Sequence, residues 1–188
     1  MTHDRNSALA LLMEYTSDEA LLRHALSVEA VMRFRAGQTG EDPDKWGVIG
    51  LLHDLDYQQF PGEHCSKTAE ILRTGRWPGE YIRAILSHGY GMFTDVVPEH
   101  PMEKFLYAAD ELTGLVAATA LVRPSRSLMD LEVKSVKKKW KDKTFAAGVN
   151  RSLIEKGAAM MGMETDELIG IVIQGMREAA ADLGLAGN

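Results

Sequence analysis

Apolar residues recur at helical spacing along most of the chain, and no stretch alternates with the period of two that a half-buried strand needs. A short apolar segment covers residues 8–15, after which Thr16 and Glu19 form a T-x-x-E capping box. The helix they open carries Leu21, Val28 and Val31 on one face and is expected to stop near Gly37. Asp42 followed by Pro43 reads as an N-cap and first helical residue, starting a helix through Trp46, Ile49 and Leu52. Gly62 is expected to begin another, running through Ile71 and Leu72 to Gly75, and Pro78 a fourth, through Tyr81, Ile82 and Ile85 to Gly89. A loop with Pro98 and Pro101 precedes a long helix over 102–122, stopped by Pro124. A lysine-rich segment, a helix over 150–161 and a last helix capped by Thr165 complete an all-α chain.

The polar residues standing where this pattern calls for apolar ones carry the chemistry. His24 lies three residues after Leu21 and four before Val28; His53 follows Trp46 and Ile49, with Asp54 beside it. His88 follows Tyr81 and Ile85, and Asp110 falls four residues after Leu106. A single histidine on such a face is most often a hydrogen-bonded core residue. Asp110 is different, because a buried carboxylate without a cation is costly and its neighbours at helical spacing are apolar. A metal ion supplies that cation, with neutral imidazoles as co-ligands.

His24, then His53-Asp54, then Asp110, each on its own expected helix, resembles the H…HD…D signature of the HD superfamily of metal-dependent hydrolases. The resemblance spans residues 16–122 and implies a helical-bundle core at residues 1–122. Residues 123–188 would then be a helical extension packed on it as one globular unit. His64 and His88 stand in the interval where the dinuclear subset of this family has two further histidines, which implies the ligand order His24, His53, Asp54, His64, His88, Asp110, with Asp54 bridging the ions. The stretch over 87–114 also resembles the branch that cleaves symmetric dinucleoside tetraphosphates, and HDLDY and DELTGL are shared with other HD proteins. The sequence reads H-D-L-D where a common subgroup reads H-D-I-G, so Asp56 replaces a glycine; it either orients a metal-bound water or caps the end of the helix, and the cap is the expected role. The motifs of cyclic-di-GMP phosphodiesterases and of stringent-response synthetases are absent.

The resemblance implies a phosphohydrolase for a nucleotide or another small phosphate ester or anhydride, a dinucleoside polyphosphate being one candidate. One or two divalent ions (Fe, Mn, Co or Zn) would deliver a hydroxide to phosphorus, with Asp54 orienting the water. The alternatives are a mixed-valent di-iron oxygenase of the same ligand pattern and a non-catalytic nucleotide-sensing module. Intact ligand positions weigh against the module, and the lysine-rich segment favours the hydrolase.

Composition narrows the setting. The chain has 188 residues, a net charge of −6 and one cysteine. These argue against general nucleic-acid binding and disulfides and fit a cytoplasmic protein whose partner is a small phosphorylated molecule. No apolar run is long enough for a membrane span, the N-terminus lacks a signal-peptide pattern, and nothing indicates the oligomeric state. Six of the ten lysines fall between Lys134 and Lys143. The flanking Arg123 and Arg151, with Lys143, are candidate phosphate contacts, although Val133, Val136 and Trp140 at helical spacing equally describe a solvated amphipathic face. Cys65 is expected to be a small core residue, and His3 and His100 surface residues.

Overall fold

The computed structural model describes residues 3–187. Among them the only regular elements are helices: α1 (Arg5–Tyr15), α2 (Glu19–Thr39), α3 (Pro43–Leu52), α4 (Ser66–Thr74), α5 (Gly79–His88), α6 (Pro101–Leu121), α7 (Val133–Trp140), α8 (Arg151–Met160) and α9 (Thr165–Glu178), with one 3-10 turn at Pro61–Glu63. The fold is all-α. No helix of the described residues is long and apolar enough to cross a membrane.

Local chemistry explains most helix ends. The Asp42 carboxylate accepts from the amides of Asp44 and Lys45, with Pro43 at the first position of α3. At α6, the His100 ring accepts from the Met102 amide while the Glu103 carboxylate accepts from the His100 amide, so His100, exposed as expected, is the N-cap of this helix. His3 packs its ring on Trp77 at 4.8 Å.

Four expected boundaries move. Thr16 does not open α2; it ends α1, its amide donating to the Leu12 carbonyl. The cap of α2 is Asp18, whose carboxylate takes the amides of Ala20 and Leu21, while the Gln58 side chain holds the amides of Ser17 and Asp18 outside the helix. A charged acceptor at the positive helix end outcompetes the buried threonine two residues earlier. α2 runs through Gly37 and stops at Gly40, which takes the left-handed φ of 74° that ends a helix most readily at glycine. Gly62 lies in the 3-10 turn, and α4 starts only at Ser66, which leaves His64 and Cys65 in an unwound step between the two. Thr165 is the first residue of α9, following Glu164, and does not cap it.

Residues 123–188 pack as α7–α9 against α2 and α6, and their Ile154, Leu168, Val172 and Met176 join the same apolar core as Val28, Leu106 and Leu112. Two glycines allow the closest approaches. A Cβ on Gly157 of α8 would sit 2.5 Å from the Ala108 Cβ, and one on Gly175 of α9 would sit 2.8 Å from the Val31 Cα. Helices α2, α3, α5 and α6 cross around one polar centre.

Candidate metal centre

α2, α5 and α6 each deliver one polar group to that centre, the end of α3 delivers two, and the unwound step after the 3-10 turn delivers another. His24 projects from the middle of α2, His53 and Asp54 stand where α3 ends, His88 is the last residue of α5, and Asp110 comes from the middle of α6. His64 arrives from the step before α4. His53, His64 and His88 are buried, whereas the side chains of His24, Asp54 and Asp110 keep about a fifth of their surface at a cavity of about 330 Å³.

The two oxygens of Asp54 face different groups. Its Oδ2 lies 3.6 Å from His24 Nε2 and 3.4 Å from His53 Nε2, and Asp110 Oδ1 lies 3.0 and 3.4 Å from the same two nitrogens. Its Oδ1 lies 3.5 Å from His64 Nε2 and 3.4 Å from His88 Nε2. All six residues expected from the sequence therefore converge, in two sets that share one carboxylate.

The opposite edge of each imidazole fixes its orientation. His53 Nδ1 is 2.7 Å from the Gly50 carbonyl oxygen, and His88 Nδ1 is held by the Ile85 carbonyl. His64 Nδ1 is 2.7 Å from Asp56 Oδ1. The Thr113 hydroxyl donates to the Asp110 carbonyl, so its oxygen is free to accept from His24 Nδ1 at 3.4 Å. With every Nδ1 donating outward, every neutral Nε2 turns a lone pair inward. Nε2 atoms of His24 and His53 then face each other at 3.2 Å, and those of His64 and His88 at 3.3 Å, with carboxylate oxygens beside them. Acceptors so close, with no donor between them, require a cation: a proton on the imidazoles or a metal ion. The mixed imidazole and carboxylate donors fit iron, manganese, cobalt or zinc.

Without metal, protons take that place. Burial pulls the His53 imidazole down, but the Asp54 and Asp110 carboxylates outweigh it and hold it up at about 10. His64 is likewise drawn down by burial and raised to about 9, chiefly by its hydrogen bond to Asp56. Burial alone would raise Asp54 and Asp110, yet the facing histidines hold both well below the usual carboxylate range.

Asp56 is a functional residue the sequence reading misplaced. It does not cap the end of α3: fully buried, it takes the His64 ring on Oδ1 and, on Oδ2 at 2.8 Å, the Thr68 amide in the first turn of α4, and so aims His64 at the centre. The replacement of glycine by a second acid three residues after the first histidine of H-D-L-D was its only sequence signal. The cavity mouth was not foreseen either. Tyr57, Met92 and Phe93 line it, 46%, 45% and 52% exposed, with the Tyr57 and Phe93 rings edge-on to His64. Glu111, Gly148 and Val149 also line it, and Glu111 takes the Asn150 amide at 2.9 Å.

The structure does not bring Arg123, Lys143 and Arg151 into this lining. Arg123 binds Asp130 and the Ser135 hydroxyl. Arg151 donates to the carbonyls of Trp140, Asp142, Phe145 and Val149, bracing residues 140–149 from behind. Lys143 is exposed. In the basic segment, Lys137 pairs with Asp166 and Lys139 lies over the Phe145 ring, as on a solvated face.

Comparison with known proteins agrees with this geometry. Ribonuclease Y of Thermotoga petrophila and of Thermotoga maritima are each 28% identical to the chain over 139 residues, covering 71% of this chain and 27% of theirs. The chain thus spans about a quarter of the length of these relatives. No solved structure matches it. The HD-domain family model matches residues 21–115, an interval containing every one of the six converging residues. The chain belongs to the HD-domain family, a family of metal-dependent phosphohydrolases.

Proposed function

We propose that the chain hydrolyses a phosphate ester or anhydride of a small molecule carrying a planar apolar group, a nucleotide being the simplest example. Two divalent ions would be held by His24, His53 and Asp110 on one side and His64 and His88 on the other, bridged by Asp54. The observation that carries this reading is the two-sided Asp54 carboxylate, with one oxygen turned toward each set of imidazoles. Such a pair, when bound, supplies a water acidic enough to attack near neutral pH and offsets the charge on the phosphoryl oxygens.

The remaining work falls to the side chains. Asp54 and Asp110 are acceptors that orient an attacking water through its hydrogens. Tyr57, Met92 and Phe93 give the mouth an apolar face against which a base stacks and from which water is displaced. Among the described residues no lysine or arginine lines the cavity, so phosphate charge falls to the ions rather than to Arg123, Lys143 or Arg151. The Thermotoga relatives are named as ribonucleases, and a phosphate ester is the functional group that an RNA shares with a small nucleotide.

The test begins with metal content. Purified protein loaded with Mn²⁺ or Co²⁺ should hold close to two ions per chain, and His64→Ala or His88→Ala close to one with helicity intact. The same protein should release phosphate or a nucleoside monophosphate anaerobically from a panel of nucleotides, dinucleoside polyphosphates and short RNA. Saturation at one ion sinks the dinuclear reading. Anaerobic inactivity, with substrate-dependent oxygen uptake by iron-loaded protein, reassigns the site to a di-iron oxygenase.

A further inference from the structure

The His64–His88 side of the centre holds a third donor that neither the family pattern nor the sequence spacing marks. Cys65 is fully buried, and its Sγ lies 4.0 Å from His88 Nε2. His64, Cys65 and His88 offer ligand atoms that all lie within 4.8 Å of one another, and Asp54 Oδ1 stands 3.4–3.5 Å from the two imidazole nitrogens. The backbone is bent to bring the sulfur there. Cys65 has φ 66° and ψ −45°, a conformation an L residue rarely adopts, in the unwound step between the 3-10 turn and α4. Opposite it stands Gly89, where a Cβ would come within 2.6 Å of the sulfur.

Cys65 is buried among the core residues, as expected from the sequence, but its thiol also has polar neighbours. A buried thiol in a core normally faces carbon, and this one faces two imidazoles whose Nδ1 atoms are already committed to Asp56 and to the Ile85 carbonyl. His64 and His88 are themselves more than nine-tenths buried, and their inward Nε2 atoms face each other and the Asp54 carboxylate, with the weakly donating Cys65 thiol 4.0 Å from His88 Nε2. Two imidazoles and a sulfur thus stand within 4.8 Å of one another, with the Asp54 carboxylate beside the imidazoles, and donors of these types are the ones that close around zinc or cobalt(II).

We propose that Cys65 is a thiolate ligand of the second ion, which makes the two halves of the centre chemically unequal. The first set, His24, His53, Asp54 and Asp110, has only nitrogen and oxygen donors. The second, His64, Cys65, His88 and Asp54, adds a soft sulfur and so prefers zinc or cobalt(II) over manganese. As the metal–sulfur bond forms, the thiol proton passes to solvent and the sulfur keeps the electron pair, with no change of oxidation state. The inference rests on the two-ion reading above.

Cobalt(II) titration of the full chain under argon tests it without any assay of activity. Wild-type protein should bind two equivalents, and the second should bring a sulfur-to-cobalt charge-transfer band in the near ultraviolet. Cys65→Ser should lose that band, keep the visible ligand-field bands of the first ion, and bind the second cobalt at least about tenfold more weakly, since even indirect partners of ligands are worth 10–100-fold. Cobalt-edge absorption spectra of the wild type should show sulfur in the ligand shell, a measurement that stands if the variant fails to fold. Two bound ions without a charge-transfer band, or without sulfur in the shell, overturn the thiolate assignment and leave the two-ion reading in place. Failure to bind a second ion overturns both.

Discussion

At the residue scale, the centre depends as much on what holds each imidazole as on the imidazoles themselves. Asp56 holds His64 through its Nδ1 and is itself held by the Thr68 amide. Asp56→Asn keeps the shape but makes the partner neutral and able to present the wrong group to Nδ1. Loss of such a partner typically costs 10–100-fold in metal affinity. Calorimetric metal titration of Asp56→Asn should therefore show a weakened second ion and a first ion of wild-type affinity. Equal weakening of both would remove the positioning role given to Asp56. Protonation supplies a second test at this scale. In metal-free protein the His53 and His64 imidazoles lie at about 10 and about 9, above the ordinary 6.5 they return to on unfolding. A raised native pKa stabilises fully below the unfolded value and loses that contribution as pH climbs through the native one. The Tm of metal-free protein should accordingly fall between pH 7 and 10. Metal-loaded protein, in which the same nitrogens are neutral ligands, should instead weaken toward low pH as protons displace the ions. Parallel pH profiles with and without metal would contradict this.

At the scale of single helices, the caps decide where side chains point. The capping box read at Thr16 and Glu19 is absent because Asp18 offers a charged acceptor and Gln58 pins the two preceding amides. Both moves place the start of α2, and hence the rotation that turns His24 inward. Asp18→Ala should cost about 1 kcal/mol, an N-cap value, and lower Tm by about 2–4 °C in a chain of this size. Thermal unfolding of Asp18→Ala followed by circular dichroism checks it, with Glu19→Ala as the comparison that a capping box would have made equally harmful. The break at residues 64–65 belongs to this scale too. A helix begun at Gly62 would have carried His64 round with the helical period; the 3-10 turn leaves His64 and Cys65 free of it. Gly62 signalled a start, but nothing local distinguished a one-turn 3-10 segment from the first turn of α4.

At the scale of the whole molecule, residues 123–187 reach the cavity through Gly148 and Val149, not through charged side chains. Gly148 and Val149 form part of its wall, Glu111 holds the Asn150 amide, and Arg151 ties four carbonyls of residues 140–149 together. Arg151→Gln should loosen this wall and raise KM for a nucleotide several-fold. Bound metal should stay at the wild-type level, because every ligand sits on α2, α3, α5, α6 or the step before α4. Neutralising Lys138 or Lys143 should change KM little and only in a salt-dependent manner, as expected of exposed charge. An Arg151 effect no larger than those two would detach the wall from substrate binding.

The all-α architecture and the six ligands were legible in the chain because both are written in one-dimensional pattern. A helix repeats every 3.6 residues, so a histidine or aspartate standing on the apolar stripe declares itself without knowledge of its neighbours. His24, His53, His88 and Asp110 were visible in that way; Asp54, beside His53, and His64, between the others, were marked by the resemblance to the HD signature. What stayed hidden depends on which surfaces meet. The division of the facing imidazoles between the two oxygens of Asp54, the support of His64 by Asp56 and the turning of Cys65 toward His88 depend on how α2, α3, α5, α6 and the step before α4 meet, and the engagement of Arg123 and Arg151 depends on the irregular path of the chain around them. Periodicity tells a residue that it is buried; only the packing of distant helices tells it against what.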